Sequence, residues 1–225
     1  MAITHVGDAA ASGSQAAPGP TVTYSSTGGN TLIASGSWYA GATVNAGITQ
    51  VTDSAGNIWQ YATSDSQKPP SAHNLVGGNY YGVFVAWTIA ASAVTSVTVK
   101  DGTGNADFWR VIVSEWSGIV VADAGTASAS PGPVNNPSAT VSLFDAGELV
   151  VAAADSISGL PSAPAGATEF PSDLTTGNVY ELPGVAGPLT FTWTAGSVDY
   201  AIAMMSFSPV LPPVPVYQVV NGGAV

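Results

Sequence analysis

Short apolar runs alternate with polar turns along the chain, and this pattern predicts a protein built from β-strands. The clearest example is the segment 97–118, in which two apolar runs flank a polar loop that contains Gly and Asn. Runs of this length, bounded by such residues, are typical of hairpins. In the second run, 108–116, apolar side chains occupy both alternating sets of positions, so we expect one or both faces of that strand to be covered. No amphipathic helix is indicated.

A related pattern returns near the C-terminus. With an offset of 92 residues, Thr98 aligns with Thr190, Gly104 with Gly196, Asp107 with Asp199 and Phe108 with Tyr200; after a one-residue slip, Trp116 aligns with Phe207. Two similar hairpins in one chain predict an all-β fold, an antiparallel β-sandwich. We assign residues 21–209 to one sandwich domain with an internal pseudo-repeat. Two small sandwiches divided near residues 122–138 are the open alternative.

Extended arms are predicted at both ends of the sandwich. Residues 1–20 are mostly Ala, Ser, Gly and Pro, and within them residues 3–6 can pair as an edge strand. Residues 210–225 form a Pro-rich C-terminal arm with polyproline-like character. Residues 64–79 form a polar loop that is long for a hairpin, which makes it a candidate contact loop.

Composition excludes several classes of function. Fourteen acids face three bases, so the net charge is −11, which argues against binding to nucleic acid or to an anionic membrane. No apolar run nears the roughly 18–20 residues of a membrane-spanning helix. The chain has no cysteine, and therefore no disulfide or thiolate metal site. The first residues contain no Lys or Arg and no apolar core, so we expect no secretory signal.

The residues that most often carry catalysis form no recognisable motif. The two histidines, His5 and His73, are expected to be solvated in the arm and in the loop, and no Gly-x-Ser-x-Gly elbow is present. Glycoside hydrolysis needs paired carboxylates, but no local spacing links any two of the glutamates. Glu115 lies in an apolar strand, and we expect it to face solvent opposite Arg110 or another polar neighbour. We therefore predict a protein that is not an enzyme and needs no cofactor.

One polar loop resembles a calcium site in part. Asp101, Thr103, Asn105 and Asp107 place oxygen atoms at alternate positions, as calcium loops do. The Gly at the sixth position and the bidentate Glu at the twelfth, here Ile112, are both missing. We interpret the segment as a hairpin turn that its Asp and Asn side chains stabilise, and we predict no metal.

Six tryptophans raise the question of sugar binding, because aromatic faces stack on sugars in many sandwich domains. Most of these residues lie inside apolar strands, where aromatic rings are core. Trp59, beside the turn 53–57, is the best candidate for an exposed glycan contact, and the core interpretation is favoured even there.

Four segments together resemble the jelly-roll-like β-sandwich virion structural proteins of tailed bacteriophages, of the decoration or minor tail type. They are Gly-Asn-Thr-Leu-Ile at 29–33, Ile-Thr-Gln-Val-Thr-Asp-Ser-Ala-Gly-Asn-Ile-Trp at 48–59, the strand 80–89, and the segment 113–118 with its Glu-Trp-Ser-Gly. The second is the most recognisable motif of that family. The resemblance spans roughly residues 21–209 and leaves out both arms.

The resemblance implies a structural or adhesive role in a virion and supplies no catalytic residue. We expect a capsid decoration protein that binds the major capsid protein or other virion proteins outside the head, as a homo-oligomer whose copy number no pattern fixes. The candidate partner contacts lie in the C-terminal arm: Pro212, Pro213, Pro215, Tyr217 and Val219. The alternative is a tail, receptor-binding or carbohydrate-binding module, with Trp59 and the loop 64–79 facing a host glycan.

Overall fold

A computed structural model describes residues 2–13, 19–41, 48–60, 71–76, 78–101, 108–156, 162–172 and 177–209. None of these residues is helical, and antiparallel strands pack as a β-sandwich, which confirms the predicted fold class. The strands are β1 (Thr4–Gly13), β2 (Thr21–Thr23), β3 (Thr31–Gly41), β4 (Ile48–Asp53), β5 (Ser71–Val76), β6 (Asn79–Ile89), β7 (Ser96–Asp101), β8 (Phe108–Ser117), β9 (Val121–Asn135), β10 (Ser138–Leu143), β11 (Leu149–Asp155), β12 (Thr168–Glu169), β13 (Asn178–Glu181), β14 (Gly187–Thr192) and β15 (Ser197–Ser208).

The strands form four sheets, one large and one small in each half of the chain. In the first half, the large sheet has the order β1-β8-β3-β6-β5 and the small sheet the order β2-β7-β4. In the second half, the large sheet has the order β12-β13-β11-β15-β9 and the small sheet pairs β10 with β14. Each small sheet covers one face of its large sheet, and the two large sheets pack against each other through their remaining faces.

Strand β8 shows why the large sheets are apolar on both faces. Trp109, Val111 and Val113 belong to the core beneath the first small sheet. Ile112 and Trp116, at the opposite parity, belong to the core between the two large sheets. Both faces of this strand are therefore covered, as its mixed parity predicted.

The two halves repeat one topology. In each, the first strand pairs with the last, the last with the third, and the short second strand pairs with the strand that precedes the last. A pair of threonine hydroxyls occupies the same place in each small sheet. The hydroxyl oxygens of Thr21 and Thr98 lie 2.8 Å apart, and those of Thr140 and Thr190 also lie 2.8 Å apart. Cross-strand Thr pairs of this kind stabilise a register. Strands β1, β3, β6 and β8 thus correspond to β9, β11, β13 and β15.

Contacts between the halves are reciprocal. Trp116 of β8 meets Tyr180 of β13 edge-on at 5.0 Å between ring centroids, and Trp87 of β6 meets Phe207 of β15 at 6.2 Å. Because β8 corresponds to β15 and β6 to β13, these two contacts are equivalent. The contact that the first half makes through β8 is the one that the second half makes through β15. Such exchange defines a two-fold interface. One chain therefore contains the geometry of a sandwich dimer, with an approximate two-fold axis between β3 and β11.

Three segments differ from expectation. Thr4–Gly13, assigned to an arm, is an edge strand paired with β8, since its small residues lie flat against a neighbour without needing a core of their own. Val121–Asn135, which overlaps the segment 122–138 where two sandwiches could be divided, forms the edge strand β9, in which Pro131 and Pro133 lie beside a register shift. Ser71–Val76, placed in the long loop, is strand β5 on the edge of the first large sheet.

Candidate functional site

The turn after β4 is held by one carboxylate. Asp53 Oδ1 accepts the backbone N–H of Ala55 at 2.8 Å and of Asn57 at 3.2 Å. Asp53 Oδ2 accepts Asn57 Nδ2 at 3.0 Å and Trp59 Nε1 at 2.7 Å. Burial tends to raise the pKa of Asp53, but these hydrogen bonds outweigh it and hold the pKa below its usual value. The Asp-Ser-Ala-Gly-Asn-Ile-Trp sequence is thus a structural turn that Asp53 holds from within and that Asn57 and Ser54 tie to the segment 92–96.

Trp59 does not offer a face to a glycan in this arrangement. Its side chain is 5% exposed and belongs to the core beneath the first small sheet, while its indole N–H is taken by Asp53. Stacking on a sugar requires an open ring face, so Trp59 is the core residue that the favoured interpretation expected, rather than the candidate glycan contact. The physical reason is that the indole N–H donates to Asp53 across the turn, which holds the ring within the core.

Glu115 is buried, which corrects the expectation that it faces solvent. The residue is 1% exposed, and its carboxylate accepts three hydrogen bonds from the segment that joins β2 to β3. The donors are the Tyr24 hydroxyl at 2.9 Å, the Thr27 backbone N–H at 2.9 Å and Asn30 Nδ2 at 2.6 Å. Burial first, and then the bond to Glu115 and its charge, raise the pKa of the Tyr24 hydroxyl far above the usual value. With its acceptors so used, Glu115 fastens a turn.

A second buried carboxylate does the same work in the other half. Glu148 is 0% exposed, and its Oε1 accepts the backbone N–H groups of Phe144 at 2.8 Å and of Asp145 at 2.7 Å. These residues form the turn between β10 and β11, which corresponds to the segment that Glu115 holds. Glu148 Oε2 is buried without a hydrogen-bond partner within the described part of the chain. Burial, followed by the charges of Glu148 and Asp145, raises the pKa of nearby Asp123.

His5 was expected in solvent but packs between the halves. Its ring lies 4.6 Å from that of Trp116 and 5.5 Å from that of Tyr180. Asp8 Oδ1 lies 3.3 Å from His5 Nε2, without the angle of a hydrogen bond, and Asp8 Oδ2 accepts both the backbone N–H and the hydroxyl of Ser172. The Asp8 carboxylate, rather than the His5 imidazole, accepts the Ser172 hydroxyl. The cluster joins β1 to the second half.

Several parts of the molecule meet at one end. The approximate two-fold axis runs along the strands. The cross-sheet aromatic contacts therefore lie at one end of the molecule, together with the adjoining ends of β6, β8, β13 and β15. The connection between the halves passes here, since the Val120 backbone N–H donates to the Ser208 carbonyl at 2.9 Å. The same end contains the turns held by Glu115 and Glu148. Residues 210–225 continue the chain from this end.

Exposed apolar side chains gather at the same end. Of the eight large apolar residues that are exposed among the described ones, only Phe108 lies at the opposite end. The other seven define what we call the apolar end face: Val6 (49% exposed), Ile58 (82%), Ile89 (47%), Val120 (40%), Phe144 (72%), Leu182 (42%) and Val185 (73%). Single exposed apolar residues are ordinary, whereas a cluster of them typically marks an interaction surface.

The described cations lie at one end only, whereas acids lie at both, with Asp101, Asp155 and Asp199 at the cation end. The described cations, Lys100 in the last part of β7 and Arg110 in the first part of β8, lie at the end opposite to the apolar end face. Acidic residues Asp53, Asp123 and Asp145 lie at or beside that face. The surface therefore combines apolar groups with negative potential.

Some predicted contacts fall outside the described residues: Pro212, Pro213, Pro215, Tyr217 and Val219, together with residues 102–107 of the calcium-like loop and most of the loop 64–79 before β5. Within the described ranges, no group of three or more His, Asp or Glu side chains is placed to hold a metal ion. No helix in that same part of the chain is long and apolar enough to cross a membrane. Comparison with protein-family models, curated proteins and solved structures finds no match.

Proposed function

We propose that this chain is a non-enzymatic structural protein of a bacteriophage virion that attaches to the outside of the head through its apolar end face. The attachment role is carried by one observation, the gathering of seven exposed apolar side chains at the end where β15 finishes. The assignment to a virion rests on the resemblance of segments 29–33, 48–59, 80–89 and 113–118 to virion sandwich proteins.

The framework suits attachment better than chemistry. The carboxylates of Asp53, Glu115 and Glu148 are engaged with backbone or side-chain N–H and O–H groups of turns. A carboxylate that accepts such donors fixes a loop, and a fixed loop can present apolar side chains without first being ordered by the partner. Two of these turns contain or adjoin residues of the apolar end face, namely Ile58 and Phe144.

The acidic balance bears on the choice of partner. A net charge of −11 and acids beside the apolar residues favour a protein partner with Lys or Arg around an apolar recess, because complementary potentials speed association and exclude wrong partners. A capsid surface made of many identical subunits offers such a recess repeatedly. The major capsid protein is therefore the partner that we propose.

Quantitative mass spectrometry of gradient-purified particles of the encoding phage tests this function. We expect a copy number comparable to that of the major shell subunit. A few copies per particle would instead place the protein in the tail, and receptor binding would become the function to test. Absence from the particles would refute the virion assignment altogether.

A matched pair of variants links the particle result to the surface. Phe144→Ser removes an apolar side chain of the apolar end face, and Phe108→Ser removes one at the opposite end. Both residues are exposed, so neither change should disturb the core. We expect Phe144→Ser alone to lower occupancy on particles. Equal occupancy for both variants would refute attachment through this face.

A further inference from the structure

Five of the seven residues of the apolar end face form two separate groups, one on each half of the molecule. In the first half, Gln60 pairs with Trp87 in an antiparallel β-bridge, and Asn57 exchanges hydrogen bonds with Ser92. These pairs place Ile58 beside Ile89. In the second half, Phe144 lies beside Leu182 and Val185.

The second group is assembled by a backbone contact. The N–H of Gly147, in the turn that begins at Phe144, donates to the carbonyl of Pro183 at 2.9 Å. The first half contains the corresponding contact, from the N–H of Gly29 to the carbonyl of Ala90 at 2.7 Å. The two groups therefore occupy corresponding places.

The approximate two-fold axis relates these groups. Ile89 follows Trp87 by two positions, and Leu182 follows Tyr180 by two positions, so each group lies just beyond one of the reciprocal aromatic contacts. Their exposed fractions, 47% and 42%, are alike. Ile58 and Phe144 come from different turns, yet each enlarges the apolar area of its own half. Ile89 and Leu182 thus occupy positions that the two-fold axis relates, and each lies within an apolar group of its own half.

We infer that the apolar end face is bivalent and binds two identical subunits of a protein partner at once, each through an apolar recess flanked by Lys or Arg. The inference rests on the proposed function in one respect, that this face is the one that docks. It goes further by specifying the symmetry and stoichiometry of the partner: the chain bridges two equivalent sites across a two-fold axis. The acids Asp53 and Asp145, one in each half, give each group the same negative surroundings.

Binding to decoration-free particles of the encoding phage tests the inference. The variants are Ile58→Ser with Ile89→Ser, for the first group, and Phe144→Ser with Val185→Ser, for the second. Phe108→Ser is the control, and an unchanged urea midpoint shows that each variant is folded. The readouts are affinity and the number of chains bound per shell subunit at saturation.

At saturation we expect one wild-type chain for every two shell subunits. Loss of either group should weaken affinity about 100-fold or more, since the second contact of a bivalent binder benefits from a high effective concentration. At high concentration, either variant should approach one chain per subunit, because a bridge no longer occupies two sites. Phe108→Ser should behave as wild type.

Other results would separate the inference from the proposed function. Binding of wild type that depends on one group alone, or a stoichiometry that stays unchanged in both variants, would overturn bivalency and leave attachment standing. Failure of the wild type to bind would overturn both. Self-association of the wild type that the group variants abolish, without binding to particles, would make a second copy of this chain the occupant and would also overturn the inference.

Discussion

Replacing Glu115 gives the sharpest test of the buried architecture. The Glu115→Ala change removes both acceptor oxygens from three donors, the Tyr24 hydroxyl, the Thr27 backbone N–H and Asn30 Nδ2, at 2.6–2.9 Å. A buried donor that loses its partner costs about 1–3 kcal/mol. The segment from Tyr24 to Asn30 is only partly buried, so water replaces some of these bonds. We therefore expect the free energy of unfolding to fall by about 3–5 kcal/mol.

Two further variants divide this loss. Glu115→Gln keeps the shape of the side chain and one acceptor oxygen. It replaces the other oxygen with an NH2 group, which is a donor facing the donors that Glu115 accepts. We expect the free energy of unfolding to fall by about 1–3 kcal/mol. Tyr24→Phe leaves Glu115 Oε2 without its donor and should cost about 1–2 kcal/mol. Tyr24 and Glu115 are in contact, so a variant with both Tyr24→Phe and Glu115→Gln should lose less free energy of unfolding than the sum of the two single losses. An additive result would show that the Tyr24–Glu115 bond does not stabilise the fold.

Urea unfolding followed by tryptophan fluorescence measures these differences in the free energy of unfolding, provided that its slope against urea concentration is the same for every variant. The control is Glu169→Ala, which removes an exposed glutamate of the edge strand β12 and should change the free energy of unfolding by less than about 0.5 kcal/mol. A loss below about 1 kcal/mol for Glu115→Ala would refute the view that this carboxylate holds the turn.

Four other outcomes are expected. The Asp53 pKa lies below its usual 3.8, so its stabilisation is present above that value and is lost as the pH falls through the folded pKa; urea midpoints of wild type should fall towards those of Asp53→Asn on acidification. Burial raises the Asp155 pKa, so its charge opposes folding at neutral pH; Asp155→Asn should be the more stable protein there, by an advantage that shrinks as the pH falls. A Cβ at Gly36 would lie 2.0 Å from a backbone oxygen, so Gly36→Ala should lower the thermal midpoint sharply, whereas Gly132→Ala, with open space, should not. Deletion of residues 210–225 should weaken particle binding in a sedimentation assay, and unchanged occupancy would contradict a role for the arm.

Much of the fold could be predicted from local pattern. Strands such as β8 and β15 combine apolar runs with flanking turn residues, and the repeat between them is visible in the aligned Trp116 and Phe207. Only residues 3–6 of the β1 region were predicted to pair as an edge strand, and β9 was not predicted as a strand, because Ala, Ser and Gly have low strand propensity and their pairing is decided by the neighbouring strand. Tertiary pairing thus overrides local preference at both edges.

The site was harder to predict than the fold. A glutamate in an apolar strand is compatible with a solvent-facing or a buried position, and only the arrival of Thr27 and Asn30 from a distant segment decides for burial in Glu115. The apolar end face has no signal in sequence, since its residues are separated singly along the chain. One clue was present: a Trp shortly after an Asp-x-x-Gly-Asn turn indicates an indole bonded to the turn, as Trp59 is.

The use of two different glutamates for one task shows where the constraint on this molecule lies. Glu115 extends from β8 to the first-half turn, whereas Glu148 holds the corresponding second-half turn from within that turn itself. Ser206, on the strand β15 that corresponds to β8, bonds instead to Ala124 of the edge strand β9. The two halves therefore do not share a carboxylate at the same position. They share an anchored turn at the end where apolar residues are exposed, and rigid presentation lowers the entropy cost of binding. If that reasoning holds, Glu115→Gln should weaken binding to particles more than Asp155→Asn does, although both change buried carboxyl groups.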